Sequence, residues 1–400
     1  MILFLEILLI FIACLILIPC LVLSFECLMS LFPVAEISEI KLDNKVDFNI
    51  LIPAYNEETV IEIPLKSIIN QVDFPEKIIV IADNCTDKTA KIARQYGVTV
   101  LERHDKERRG KGYALDYGLN YLKNQPPDVI VLIDADCYIT PGTIQKLVHK
   151  SSITQKPLQA LYLLEKPENP SPKDLISALA VLVKNQVRST GLSRLGLPCL
   201  LAGTGMAFPW QALDKISLAS GNIVEDMQLG IDLALCGYSP IFCPDAQVTG
   251  ILPQQTSAAI TQRTRWEHGH IQTILTQVPR LLKAAITQRR FELLALALEL
   301  SVPPLSLLVM LLIAGIMITI TAGLLGFSWL PTIILGVGGL CLILGILMGW
   351  TKFGRKEIPF SALLSIPFYL LWKIPLYFAF LVRPQSQWVR TERDEIVNSK

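Results

Sequence analysis

Charge is scarce in this sequence. Asp, Glu, Lys and Arg make up 18% of its 400 residues, and 52% are hydrophobic. Soluble domains usually carry about 25% charged residues. The deficit is uneven: residues 40–292 read as an ordinary soluble domain, while both ends are apolar. An enzyme-sized core between membrane segments is therefore expected. With 36 Lys and Arg against 35 Asp and Glu, no basic stripe dominates, which argues against a nucleic-acid partner. The nine cysteines include no C-x-x-C pair, and Cys236 and Cys243 repeat no ligand spacing. That argues against a disulfide framework or zinc site and leaves buried thiols in a reducing compartment. Internal repeats and low-complexity tracts are missing as well.

Early basic residues are also missing. Residues 7–25 are almost uninterruptedly apolar, Glu6 precedes them, and no A-x-A site follows. A signal peptide has a basic start and a small-residue cleavage site, so a retained transmembrane anchor over 1–32 is expected. Residues 305–325 and 329–350 are two further spanning candidates, preceded by an interfacial stretch at 286–300. Residues 359–382 contain Pro367, Pro375 and Lys373, which suits an interfacial or re-entrant helix. Lys352, Arg355 and Lys356, then Arg383, Arg390 and Arg393, flank that stretch. Positive charge marks the cytoplasmic side, so both clusters, the core and the 383–400 tail are expected there, at the inner or plasma membrane. In that arrangement 359–382 does not cross.

What the core does contain is alternation. Short apolar strands are expected at 48–52, 77–82, 98–101 and 129–133, with helices at 58–70, 87–96 and 112–122 between them. This order predicts an α/β fold with a mostly parallel sheet. In such sheets ligands collect at the carboxyl ends of the strands. The first strand there runs into I-P-A-Y-N-E-E (52–58) and the second into A-D-N-C-T-D (82–87); Asn84 and Asp87 also suit turn and cap positions. The fourth ends in Asp134-Ala135-Asp136, two carboxylates that can share Mg2+ or Mn2+ and neutralise a leaving diphosphate. Glu225-Asp226 opens a helical stretch, where acidic residues suit the dipole and a carboxylate can also accept a proton. In Gln262-Arg263-Thr264-Arg265-Trp266, Arg265 offers a fork for phosphate and Trp266 a face for a sugar ring.

In this order, with Gly110-Lys111-Gly112 and Gly203-Thr204-Gly205, these motifs resemble those of the family 2 inverting glycosyltransferases with the GT-A fold. The resemblance points to the membrane-bound branch that includes cellulose, hyaluronan and poly-N-acetylglucosamine synthases, and it covers residues 48–270. It implies a GT-A domain over 40–285 flanked by transmembrane helices, with C-terminal transmembrane and interfacial helices over 301–382. It implies a donor site of Ala54, Glu57, Asp83, Lys111, Asp134 and Arg265, with Asp83 on a uracil base and Lys111 near the diphosphate. The acceptor would meet Gly203, Thr204, Gly205, Glu225, Gln262 and Trp266. Asp136 would hold Mg2+ or Mn2+, and Asp226 would be the catalytic base. The implied partners are a nucleotide-sugar donor, a polysaccharide or lipid-linked acceptor, and membrane lipid. Those polymerases carry more spanning helices than this chain, so export would call for a partner subunit. Two rival readings are transfer of a single sugar to a lipid carrier and a silent polysaccharide-synthase subunit. A transporter is disfavoured by the large polar core.

Overall fold

The computed structural model describes residues 2–33, 46–219, 224–251, 256–382 and 385. Residues 383–384 and 386–400 lie outside the described residues, and with them Arg383, Arg390, Arg393 and most of the 383–400 tail. The chain divides into two compact units. One comprises Met1–Ala35, Ser171–Leu197 and His270–Pro384; the other comprises Glu36–Pro170, Pro198–Gly269 and Gln385–Lys400.

The second unit is built on one eight-stranded sheet. Its strands are β1 (Phe48–Ala54), β2 (Ile78–Asp83), β3 (Thr99–Arg103), β4 (Val129–Leu132), β5 (Cys137–Ile139), β6 (Leu158–Glu165), β7 (Met206–Pro209) and β8 (Ile241–Ile251), in the order β3-β2-β1-β4-β7-β6-β8-β5. The first four are parallel to one another, as their alternation with helices predicts. The second half reverses: β7 runs antiparallel to β4 and β6, β6 and β8 are parallel, and β5 is antiparallel to β8. Four of the seven pairings are thus parallel.

Every residue of β2 is buried, because helices cover both faces of the sheet. Strand alternation sends Ile50, Ile52, Ile78 and Val80 into one core with Ile61, Leu65, Ile144 and Leu147. Leu51, Ile79 and Ile81 enter the opposite core with Leu115, Leu119, Leu229 and Leu233.

The other unit is helical. Among the described residues, three of its helices are long and apolar enough to cross a membrane: Ile2–Met29, Leu305–Leu324 and Leu330–Gly354. Glycines set their spacing. A Cβ on Gly345 would lie 3.0 Å from Ser24 Cα, and one on Gly338 would lie 3.2 Å from a Leu17 methyl. Small residues let apolar helices approach this closely. Helix Ile366–Val382 is shorter, 17 residues. Ser171–Leu197, which sequence reasoning leaves inside the catalytic span, belongs to this helical unit. Buried Arg188 ties it there by donating from Nε to Glu26 Oε2 (2.5 Å) and from Nη2 to the Glu299 carbonyl (2.9 Å).

Candidate active site

The topology brings the polar motifs to one edge of the sheet. Strands β1, β2 and β4 are parallel, so the residues after Ala54, Asp83 and Leu132 share that edge. β7 enters antiparallel beside β4 with Met206 opposite Leu132, which sets the preceding Gly203-Thr204-Gly205 loop against Asp134. The Asp134 backbone N–H donates to Thr204 Oγ1 (3.0 Å). Lys111, the first residue of helix Lys111–Leu122, donates from Nζ to the Gly203 carbonyl (2.6 Å) and pairs with Asp134. Its ammonium also lies 3.8 Å from Glu225 Oε1. Glu225 and Asp226 open helix Glu225–Leu235, and a Cβ on Gly203 would lie 3.3 Å from Asp226 Oδ2.

The result is a carboxylate-rich cluster around a single amine. Burial alone would lower the Lys111 pKa, but Asp134, then Glu225 and Asp226, raise it on balance. The lysine is therefore cationic. Burial raises Asp134, opposed by Lys111 and reinforced by Asp136. Burial likewise pushes Glu225 up to about 7, against the pull of Lys111 and with Asp226 adding to the rise. Three carboxylates, those of Asp134, Glu225 and Asp226, act on one ammonium, and Asp136 adds a further negative charge beside Asp134, so the cluster suits an added cation. Ligand atoms of Asp134, Asp136 and Cys137 lie within 4.8 Å of one another. The carboxylate oxygens fit a hard ion such as Mg2+ or Mn2+. The buried Cys137 thiol does not: burial holds its pKa well above the usual range, and it donates to Asp136 Oδ1 at 3.5 Å.

A second group lies at the ends of β1, β2 and β3. Ala54 pairs in register with Ala82. Glu57 is buried, and its backbone N–H donates to Thr89 Oγ1 (2.8 Å). Asp87 Oδ1 accepts from the Thr89 N–H (3.0 Å), the cap-like role its position suggests. Asp83 is buried beneath Arg103, whose Nη1 donates to Asp83 Oδ1 (2.6 Å). Burial raises the Asp83 pKa against that pull. Arg103 follows from β3 pairing Arg103 with Asp83. Sequence reasoning misses it because only strand register brings the two together.

Two asparagines inside the quoted motifs, and one glutamine outside them, position these loops. Asn56 and Asn84, both at φ 53°, take the left-handed conformation that asparagine tolerates. Asn56 Oδ1 accepts from the Thr86 N–H (2.7 Å) and Asn84 Oδ1 from the Asp105 N–H (2.9 Å), which joins the loops after β1, β2 and β3. Buried Gln159 on β6 clamps the glycine loop from both sides. Its Oε1 accepts from the Ala202 N–H (2.8 Å) and its Nε2 donates to the Thr204 carbonyl (2.9 Å).

Gln262, Arg265 and Trp266 lie on helix Thr256–Gln288. Gln262 is buried and the other two are half-buried. Among the described residues, none of the three forms a hydrogen bond or ion pair with the Lys111 cluster. Arg265 Nε is closed off from solvent and has no hydrogen-bond partner among the described residues.

Comparison with known proteins agrees with this architecture. A Pyrobaculum calidifontis mannosyltransferase, solved with GDP-Man and Mn2+, superposes with a TM-score of 0.53 over 92% of this chain and 99% of its own, at 19% identity. The shared fold is GT-A. A Methanocaldococcus jannaschii protein is 35% identical over 111 residues, which are 28% of this chain and 44% of that protein. A 4,4'-diaponeurosporenoate glycosyltransferase of Staphylococcus aureus is 34% identical over 111 residues, 27% of this chain and 28% of that one. The chain thus spans less than half the length of these two relatives. Residues 46–269, over half of the chain, match the family described as Glycosyltransferase like family 2, and the chain belongs to that family.

Proposed function

We propose that this chain is a membrane-embedded inverting glycosyltransferase. It moves a sugar, a hexose in this reading, from a nucleoside diphosphate donor, here UDP, to a polysaccharide acceptor at the cytoplasmic face. One observation carries the reading: Lys111, Asp134, the glycine loop, Glu225 and Asp226 converge at the carboxyl edge of a GT-A sheet in a family 2 chain.

The reaction is a single displacement. The acceptor hydroxyl attacks the anomeric carbon and Asp226 takes its proton, a contribution of about 10² to 10⁴ in rate. The bond from the anomeric carbon to the donor phosphate oxygen breaks, and the electron pair leaves on the nucleoside diphosphate. One displacement inverts the anomeric centre. Lys111 and Arg265 bind the diphosphate, Asp83 the base, and Gln262 and Trp266 the acceptor sugar. Asp136, beside Asp134, would hold Mg2+ or Mn2+, which offsets diphosphate charge when bound. Glu225, which holds its proton up to about 7, positions Lys111 and meets the acceptor. The three candidate spans anchor the domain at the membrane, with 359–382 in the interface.

Transfer of one sugar to a lipid-linked acceptor is the second reading. It is favoured by the Staphylococcus aureus relative, whose name gives 4,4'-diaponeurosporenoate as what it glycosylates. Incubating membranes that contain the chain with radiolabelled UDP- and GDP-sugars tests both. Labelled polymer with inverted linkage is expected. A single-sugar lipid product selects the second reading, and no transfer from any donor refutes both.

A further inference from the structure

A cationic pair that the proposed reaction does not use lies in the helical unit. Helix Ser189–Arg194 packs against the first long helix so tightly that a Cβ on Gly191 would come 2.0 Å from the Glu26 carbonyl oxygen. Arg194 follows Gly191 by about one turn. Its Nε and Nη1 are closed off from solvent and, among the described residues, lack hydrogen-bond partners. Lys352, in the last turn of the candidate span Leu330–Gly354, donates to the Ser30 carbonyl (2.7 Å) and the Leu31 carbonyl (3.1 Å), immediately after the first helix ends at Met29. An ammonium has three donors, and these bonds use two. Arg194 acts on Lys352 as a like charge, and among the described residues neither forms an ion pair with a carboxylate. Exposed Arg355 and Lys356 follow on the same segment.

We propose that Arg194 and Lys352 form a binding site for the phosphate of an anionic lipid headgroup where two candidate spans end. The chemistry is specific. A guanidinium presents parallel N–H donors that match phosphate oxygens, and an ammonium adds a point charge. Buried N–H groups without acceptors are costly, and a phosphate supplies acceptors. Anionic headgroups are concentrated at the membrane surface where basic residues flank a span. Free phosphate shares this chemistry, and its concentration at that surface is what the test must separate.

The site rests on the membrane reading. Full-length chain in detergent is titrated with dioleoylphosphatidylglycerol or dioleoylphosphatidylcholine and followed by native mass spectrometry. The wild type is expected to prefer phosphatidylglycerol. Arg194→Gln and Lys352→Gln each weaken that binding about fivefold, leave phosphatidylcholine unchanged, and retain the wild-type melting temperature. Arg194→Lys, which keeps charge but loses the fork, falls in between. Unchanged phosphatidylglycerol affinity in Arg194→Gln overturns the site. If that variant does not fold, wild-type affinity in Arg194→Lys overturns it instead. Displacement of phosphatidylglycerol by an equal concentration of inorganic phosphate overturns the lipid as the source. Carbonate washing of membranes separates this proposal from the membrane reading. Release of the chain overturns both, whereas a retained chain that binds the two lipids alike overturns the site alone.

Discussion

Gly203→Ala probes the loop on which the site is built. Gly203 has φ 91°, a conformation that costs an L-residue about 1–2 kcal/mol. The new methyl would stand 3.3 Å from Asp226 Oδ2 and 3.9 Å from Lys111 Nζ. The first contact is too tight by a few tenths of an ångström, so the Asp226 carboxylate has to yield. The second is ordinary contact, so Lys111 keeps its place. A misplacement of about 1 Å at a reacting group costs about 10² in rate. The smaller shift here is expected to slow transfer about tenfold, with donor affinity within about twofold of wild type. Stability falls by about 1–2 kcal/mol through the backbone alone. Gly205→Ala provides the contrast. Its Cβ would meet Val248 Cγ2 at 2.6 Å and Ala160 Cβ at 3.0 Å, so overpacking of about 1–3 kcal/mol adds to the strain. Transfer kinetics, donor calorimetry and thermal unfolding of the purified chain read all three quantities. Wild-type transfer by a destabilised Gly203→Ala would refute the claim that this loop fixes Asp226.

Three other outcomes are expected. Gln159→Leu removes both clamps on the loop and leaves the Ala202 N–H and Thr204 carbonyl unpaired, at about 1–3 kcal/mol each; thermal unfolding and a lower kcat check it, and unchanged values in both would discard the clamp. Glu225 retains its proton up to about 7 instead of its ordinary 4.5, so its share of stability is complete below 4.5 and is lost as pH rises through 7. At about 1.4 kcal/mol per pKa unit that share is on the order of 3 kcal/mol. In EDTA, Glu225→Gln should flatten the fall in melting temperature across this window, and an unchanged slope would locate the titration elsewhere. Donor turnover should require Mg2+ or Mn2+, and Asp136→Asn should weaken both metal-dependent donor binding and turnover; full nucleotide release in EDTA removes the metal role.

The parallel half of the fold is legible because β1, β2 and β4 are apolar runs separated by helical spacing and followed by polar motifs. The reversal beyond β4 is not. β7 has only four residues, β8 carries Pro244 and Asp245 in its interior, and the pairing of β6 with β8 shifts register after Ala160. None of these gives a clean period. Helix Pro172–Leu182 does announce itself, since Ser171 and Asp174 form a capping box with Pro172 at the first position. Its membership of the helical unit does not, because Arg188 finds Glu26 162 residues away. The same limit hides Gln159 and Arg103, whose partners are set by strand register. Lys111, Asp134, Gly203, Thr204, Glu225 and Asp226 are separable as motifs in the sequence, and the structure groups them. Among the described residues, Gln262, Arg265 and Trp266 form no hydrogen bond or ion pair with that cluster.

The central claim is that Asp226 takes the acceptor proton, and Asp226→Asn tests it most directly. The amide keeps the size and one hydrogen-bonding oxygen but cannot accept the proton. Transfer of labelled sugar is measured beside equilibrium binding of labelled nucleoside diphosphate on the same folded protein. The account predicts that transfer falls by about 10² to 10⁴ while nucleotide affinity stays near wild type. Wild-type transfer by folded Asp226→Asn would contradict it, and so would loss of nucleotide binding together with transfer.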